Sequence, residues 1–269
     1  GTNSALATRM ALKLVDIVVT EAGFGTDLGA EKFMNIKCRE AGLKPSAVVI
    51  VATIKALKFH GGLTRDTGYT NLKKHIENIQ SFGLEPIVAL NRFDYDTEEE
   101  LAAIQKLCSE DGIEAVITEH FRKGGQGAMG MAQAVLRKID GKIPQDPEFT
   151  YPLDIPLNEK IERVAKVIYG ADGVDYDRKA RNDLRLLKEH GYGDLPICIA
   201  KTPLSFSDDP KLKGSPRGFK ITVNEVRVSA GAGFVVVICG NIMTMPGMPK
   251  EPVAARIVVH DDGSVTGLS

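Results

Sequence analysis

The sequence predicts an α/β protein in which a parallel sheet fills the first half and a smaller α+β unit follows. Three observations carry this reading. Up to about residue 140, short β-branched runs alternate with amphipathic stretches, and continuous apolar strands suit a sheet covered by helices on both faces. Residues 140–157 are then punctuated by Gly141, Pro144, Pro147, Pro152 and Pro156, which marks a boundary. After Phe219 the apolar runs are separated by Gly and Pro instead of helices, as in a small mixed or antiparallel sheet.

In order, a helix at 5–14 feeds a first strand at 16–20, so a further strand is expected upstream of Gly1. Further strands are expected at 47–53, 86–91 and 114–118, with helices at 30–41, 71–82, 97–111 and 127–139. Thr97 ahead of Glu98, Glu99 and Glu100 is a strong helix start, because an acidic first turn meets the positive end of the helix dipole. Helices at 158–169 and 177–190 and a strand at 196–200 follow, then strands at 220–228, 233–239 and 256–260, with a tight turn at 261–264. The division is therefore 1–143 and 144–269.

Composition excludes several classes. With 34 basic and 35 acidic residues the formal net charge is −1, so no global field favours nucleic acid or membrane. The apolar runs are strand-length, far short of a membrane span. Four widely spaced cysteines form no C-x-x-C pair, and Cys198 and Cys239 lie in apolar runs, where a buried thiol is expected. A reducing, cytoplasmic setting fits. His75 and His190 fall on helical patterns and read as surface residues, and His260 as structural. No nucleophile elbow, zinc-binding helix motif or histidine pair with metal spacing occurs.

Parallel sheets bind ligands beyond the carboxyl ends of their strands, and unusual loops stand at those ends. The first holds Gly23, Gly25 and Gly29 between a strand and a helix, where backbone N–H groups can meet an anion. Its G-x-G-x-x-x-G spacing is one residue longer than the dinucleotide fingerprint, and no lysine–hydroxyl pair follows as in a Walker A loop. The second, 54–62, carries Lys55, Lys58, His60 and a glycine pair and could hold a polyanion or be a solvated helix face. The third starts at Asn91, an amide that could read a purine edge or belong to a helix-entry turn, followed by Phe93, which could stack on a flat ligand. The fourth, 118–127, brings Phe121, and the two rings together suggest a sandwich for a heterocycle. A fifth, 200–209, leaves a strand end with polar residues and could close over a nucleotide or be a surface loop.

Taken together, these segments resemble formate–tetrahydrofolate ligase (formyltetrahydrofolate synthetase). The resemblance rests on residues 20–33, 51–62, 71–78 and 91–93, continues through 168–173, 205–214, 229–234 and 242–249, and covers the whole chain. It implies that 1–143 are the C-terminal portion of a large P-loop NTPase-like nucleotide- and folate-binding domain, its N-terminal part absent here, and 144–269 a C-terminal α+β domain. The activity implied is ligation of formate to tetrahydrofolate at the expense of ATP. Formyl phosphate is the intermediate, and 10-formyltetrahydrofolate, ADP and phosphate are the products. By resemblance, Phe24, Gly25 and Glu31 belong to the catalytic centre, with Gly23, Gly25 and Gly29 as the anion cradle. Asn91, Lys201, Thr202, Ser205 and Ser207 would face the nucleotide, and Phe93 and Phe121 the pterin. ATP with magnesium, tetrahydrofolate and a monovalent cation (potassium or ammonium) are the implied small molecules; no metal ligand is assigned. The P-loop lies in the N-terminal half, which becomes the implied partner, together with a homo-oligomer.

Three departures stand out: Phe121 replaces the more usual Trp, Lys55 replaces an Arg fork with a point charge, and the segment 63–70 is short. Two other readings compete. A non-catalytic folate-binding or assembly fragment needs only the pterin face. A nicotinamide oxidoreductase is disfavoured by the long glycine loop and by the lack of an acid closing the second strand.

Overall fold

The computed structural model describes residues 4–242, 251–261 and 265–267. The expected turn at 261–264 falls largely outside them, as does most of the 242–249 motif. A helix α1 (Ala5–Ala11) opens the described chain, capped by the Ser4 hydroxyl. The glycine loop leads into a helical run over 26–41, with widened π-type turns at Thr26–Ala30 and Phe33–Cys38 and a last turn α2 (Arg39–Ala41) closed by Gly42 in the left-handed region.

The first sheet holds β1 (Val48–Ala52), β2 (Pro86–Asn91) and β3 (Ala115–Thr118), all parallel and in that order. Between them run α3 (Ile54–Phe59), α4 (Gly68–Gln80) and α5 (Glu98–Glu110), and after β3 come α6 (His120–Lys123) and α7 (Met129–Ile139). The cap expected at Thr97 is a full capping box with Glu100. Central strand β2 is buried on both faces, as its unbroken apolar sequence requires. One face of the sheet (Ile50, Ala52, Val88, Leu90) packs on α4 and α5 through Leu72, Ile76, Ile79, Leu101 and Ile104. On the other face α7 covers β2 and β3, with Gly130 close against Val116. Among the described residues no helix covers that face at β1, where Val49 and Val51 are 38% and 62% exposed.

Residues 16–20 are not a strand. No described strand pairs with them, and Val19 is almost fully exposed. An apolar β-branched run becomes a strand only when a neighbour supplies its ladder, so periodicity alone overstated this element.

The second sheet is mixed, in the order β4-β6-β7-β5. Strand β4 (Gly173–Tyr176) pairs in parallel with β6 (Lys220–Ser229), β6 antiparallel with β7 (Phe234–Cys239), and β7 in parallel with β5 (Ile197–Ala200). Helices α8 (Leu157–Val164) and α9 (Arg178–Glu189) pack beside it. Sequence reasoning passed over β4, four residues with little pattern that become a strand because β6 lies alongside. A last pair, β8 (Val258–Val259) and β9 (Val265–Thr266), is antiparallel. The core of this half draws in Met34 and Cys38 from the run 26–41, Leu43 just beyond it, and Phe82, so the helix after the glycine loop is clamped between the two sheets.

Candidate active site

Because β1, β2 and β3 are parallel, the loops at 53–62, 91–96 and 118–127 leave the same edge of the sheet. The glycine loop joins them from the side, and its geometry explains its glycines. A Cβ on Gly29 would stand 1.9 Å from the Gly23 carbonyl oxygen, and one on Gly25 would stand 2.5 Å from Asp27 Oδ1 and 2.6 Å from the His75 ring. Between Gly23 and Gly25, Phe24 holds a left-handed backbone at φ 62°, unique for a non-glycine residue among those described, and the residue is 82% exposed. Such strain in a bulky residue marks a site the surroundings impose.

Asp27 and Lys201 fix the loop from beneath. The buried Lys201 ammonium donates to Asp27 Oδ2 at 2.6 Å, to the Ser205 carbonyl at 2.5 Å and to that of Thr202 at 3.3 Å. Burial lowers the Lys201 pKa, and Asp27 acts against that. Ser205 and Ser207 are buried and bond each other at 2.9 Å, with Ser205 also donating to the Leu212 carbonyl. Thr202 accepts from the Leu204 amide. Lys201 thus places all its donors on protein oxygens.

A cavity of about 170 Å³ lies where three loops meet, lined by Gly25 and Asp27, by Ala52 and His60, and by Ser205 and Phe206, with His75 from α4. Contrary to its reading as a surface residue, His75 is half-buried and tilts against Phe206 at 4.6 Å. Its Nδ1 accepts the Thr26 amide at 3.3 Å and contacts the Thr26 hydroxyl at 2.8 Å. Burial drives its pKa down to about 4, so the ring is neutral at pH 7. Asn78, one turn further along α4, donates to the same Thr26 hydroxyl. A signal for this existed: Asn71, His75 and Asn78 recur at i, i+4, i+7 beside the apolar stripe Leu72, Ile76 and Ile79. Asn71 in turn donates to the Gly214 carbonyl at 3.0 Å.

Glu31 sits apart from this cavity. It is fully buried, accepts from Asn35 at 2.9 Å and faces Lys32 at 3.0 Å in an ion pair without hydrogen-bond alignment.

A second cavity of about 250 Å³ opens at the ends of β2 and β3, lined by Arg92, Phe93, Asp94, Glu119 and Arg122. Phe93, which lines it, touches Phe121 at 5.3 Å between centroids and 49°, and stacks on Tyr95 at 5.6 Å and 2°. A flat ring between the two phenyls requires them to part to about 7 Å. Phe121 is 76% exposed on the short helix α6, free to make that movement. Asn91 ends β2 with its Oδ1 buried and unpartnered, an acceptor left open beside the aromatic pair. Lys55 and Lys58 lie on α3, where Lys58 pairs with Glu100.

Of the other cysteines and histidines, Cys239 is buried with its thiol pushed up to about 12, and Cys198 is half-buried. His190 is exposed, as expected. Among the described residues no group of three or more His, Cys, Asp or Glu converges as a metal site, and no helix is long and apolar enough to cross a membrane.

A sequence model of the family described as formate–tetrahydrofolate ligase matches residues 1–269. The chain is 51% identical over 279 residues to the formate–tetrahydrofolate ligase of Roseobacter denitrificans and 51% over 280 to that of Symbiobacterium thermophilum. It is 49% identical over 280 residues to that of Methylobacterium nodulans. In each case all of this chain is covered but 50% of the relative, so the chain spans about half the length of the curated relatives it matches.

Proposed function

The chain belongs to the formate–tetrahydrofolate ligase family, and on that premise we propose that it supplies the folate-facing and anion-facing walls of an ATP-dependent ligase. The reaction joins formate to tetrahydrofolate through formyl phosphate, giving 10-formyltetrahydrofolate, ADP and phosphate. The observation that carries the proposal is the side-by-side placement of two cavities along one region of the fold. A small cavity is set against a glycine loop, and an open aromatic cleft stands at the strand ends.

A formyl phosphate is a mixed anhydride, so its site must hold a phosphoryl group and keep water from the acyl carbon. At Gly25 and Gly29 the loop's backbone is packed too tightly for side chains, and Phe24 beside them is exposed. Phe93 and Phe121 would receive the flat pterin from opposite faces, presenting its nucleophilic nitrogen to the formyl carbon. Asn91, with its open carbonyl oxygen, suits the amino edge of an adenine. Thr202, Ser205 and Ser207 would close the nucleotide side as a pre-formed wall, since their hydroxyls are already tied into the 201–207 turn. Lys201 would act there through the loop it anchors, and Glu31 through the helix it stabilises. Magnesium would enter with ATP as part of the substrate, and no step is assigned to a monovalent cation.

Half of the relatives' length lies outside this chain, and the reading needs that half as partner. The uncovered face of β1, with Val49 and Val51 at the sheet edge, suits a helix supplied by such a partner. We further place the functional boundary near residue 143, with assembly into a homo-oligomer in a cytoplasmic setting.

The test is formylation of tetrahydrofolate, dependent on ATP and formate, by the 269-residue chain with and without the N-terminal half of a relative. Turnover only in the mixture supports the proposal. Folate binding without turnover in the mixture supports the non-catalytic assembly fragment, and neither binding nor turnover removes both.

A further inference from the structure

We propose that His60 and His75 form a pair of neutral imidazole donors whose Nε2–H groups bind a small oxyanion beside the glycine loop. Both rings line the same cavity of about 170 Å³. That volume takes a carboxylate or phosphate of a few heavy atoms and falls below the range of nucleotide-sized pockets.

The tautomers follow from the hydrogen bonds. The Thr26 amide donates to Nδ1 of His75 at 3.3 Å, and the Gly214 amide donates to Nδ1 of His60 at 3.2 Å. A backbone N–H can only donate, so each Nδ1 is the bare nitrogen and the ring proton sits on Nε2. No hydrogen bond is made by either Nε2 among the described residues, and both residues line the cavity. Two donors therefore face a space with no acceptor assigned to both.

Their surroundings keep them neutral. Burial lowers both pKa values, and the cations Lys201 and Lys74 near His75, and Lys213 near His60, work in the same direction. Asp27 opposes this, but its Oδ2 is held by Lys201. That ion pair offsets much of the carboxylate's repulsion of an anion in the cavity. The glycine loop fits the arrangement, because Gly25 is the residue on which the His75 ring rests, 2.6 Å from where a Cβ would stand. The pair thus touches both the candidate ligand space and the loop proposed to face the acyl phosphate.

The assignment deepens the ligase reading by naming the donors that meet the carboxylate or phosphoryl oxygen, and rests on it for that role alone. The test uses the 269-residue chain labelled with ¹⁵N-histidine, with long-range ¹⁵N–¹H correlation at pH 7. Formate and inorganic phosphate are titrated separately. Both rings should show a bare Nδ1 and a protonated Nε2, and both Nε2 signals should move together with at least one anion. His75→Asn keeps an acceptor for the Thr26 amide but removes the distal donor. It should weaken that anion's binding at least tenfold at an unchanged melting temperature, with His75→Gln recovering part of the loss. His60→Asn should behave likewise. A proton on Nδ1, unmoved Nε2 signals, or equal affinity in both Asn variants overturns the proposal. A wild-type chain that shows the anion response yet supports no formylation with the N-terminal half retains the histidine pair and removes the ligase reading.

Discussion

Lys201 reaches across 174 positions of the chain to Asp27, and their 2.6 Å contact ties the turn after β5 to the helix that follows the glycine loop. Both residues are buried, and Lys201 gives its other donors to the carbonyls of Thr202 and Ser205. Removing one partner leaves the other charge buried and alone. Lys201→Met and Asp27→Asn are each expected to cost about 3–5 kcal/mol in urea unfolding. The double variant should cost much less than their sum, because each single change contains the same penalty. Additive losses would show that the two residues act independently.

His75 predicts a pH dependence. Its folded pKa of about 4 lies below the ordinary value of 6.5, because burial disfavours the charged ring, with Lys74, Lys201 and His60 nearby and only Asp27 opposing. A group depressed in this way contributes stability that is fully present above pH 6.5 and is lost as the pH falls toward 4. At full amplitude the loss attributable to this ring is about 3 kcal/mol. Comparing wild type with His75→Gln from pH 8 to pH 4 isolates it from the carboxylates. The variant's profile should be flatter, and parallel profiles would mean that the ring titrates normally.

Much of this was legible in the chain and some was not, for identifiable reasons. The strands β1 to β3 and the helices between them follow from apolar runs and caps, signals that are local. The glycine loop was legible because Gly25 and Gly29 have no room for a side chain. His75 escaped because a histidine on a helix looks the same whether its face meets solvent or a loop 49 residues away. The false strand at 16–20 and the missed strand β4 share one cause, since whether a neighbouring chain pairs with a segment is not written in the segment itself. By resemblance Lys201 is expected to face the nucleotide. Only the fold reveals that its three donors already have acceptors.

Phe24 combines an unfavourable backbone with an exposed ring. A left-handed conformation costs a non-glycine residue roughly 1–2 kcal/mol, and glycine would relieve that while losing up to about 1 kcal/mol of chain entropy. Phe24→Gly should therefore leave stability unchanged or raise it by at most ~1 kcal/mol, while Phe24→Ala keeps the strain and gains nothing. If the ring guards the acyl phosphate, both variants lower formylation in the reconstituted enzyme and raise ATP hydrolysis uncoupled from transfer. Unchanged coupling in both would remove Phe24 from the site.

The edge of the first sheet leads to the last expectation. Val49 and Val51 project from β1 on the face that α7 leaves open, whereas Ile50 and Ala52 on the other face are buried. Val51 is 62% exposed, so within this chain its side chain contributes little. Val51→Asp should change the unfolding free energy by no more than about 0.5 kcal/mol. If an apolar helix from the N-terminal half covers that face, the same change buries an unpaired carboxylate and should abolish co-purification of the two halves. Val49→Asp should do so less completely, because at 38% exposure it is already partly shielded. A substitution on a helix packed against the second sheet, such as Lys188→Asp near the end of α9, should leave association intact. Co-purification that survives Val51→Asp would move the interface elsewhere, with the exposed apolar residues of α1 and the segment after it as the next surface to mutate.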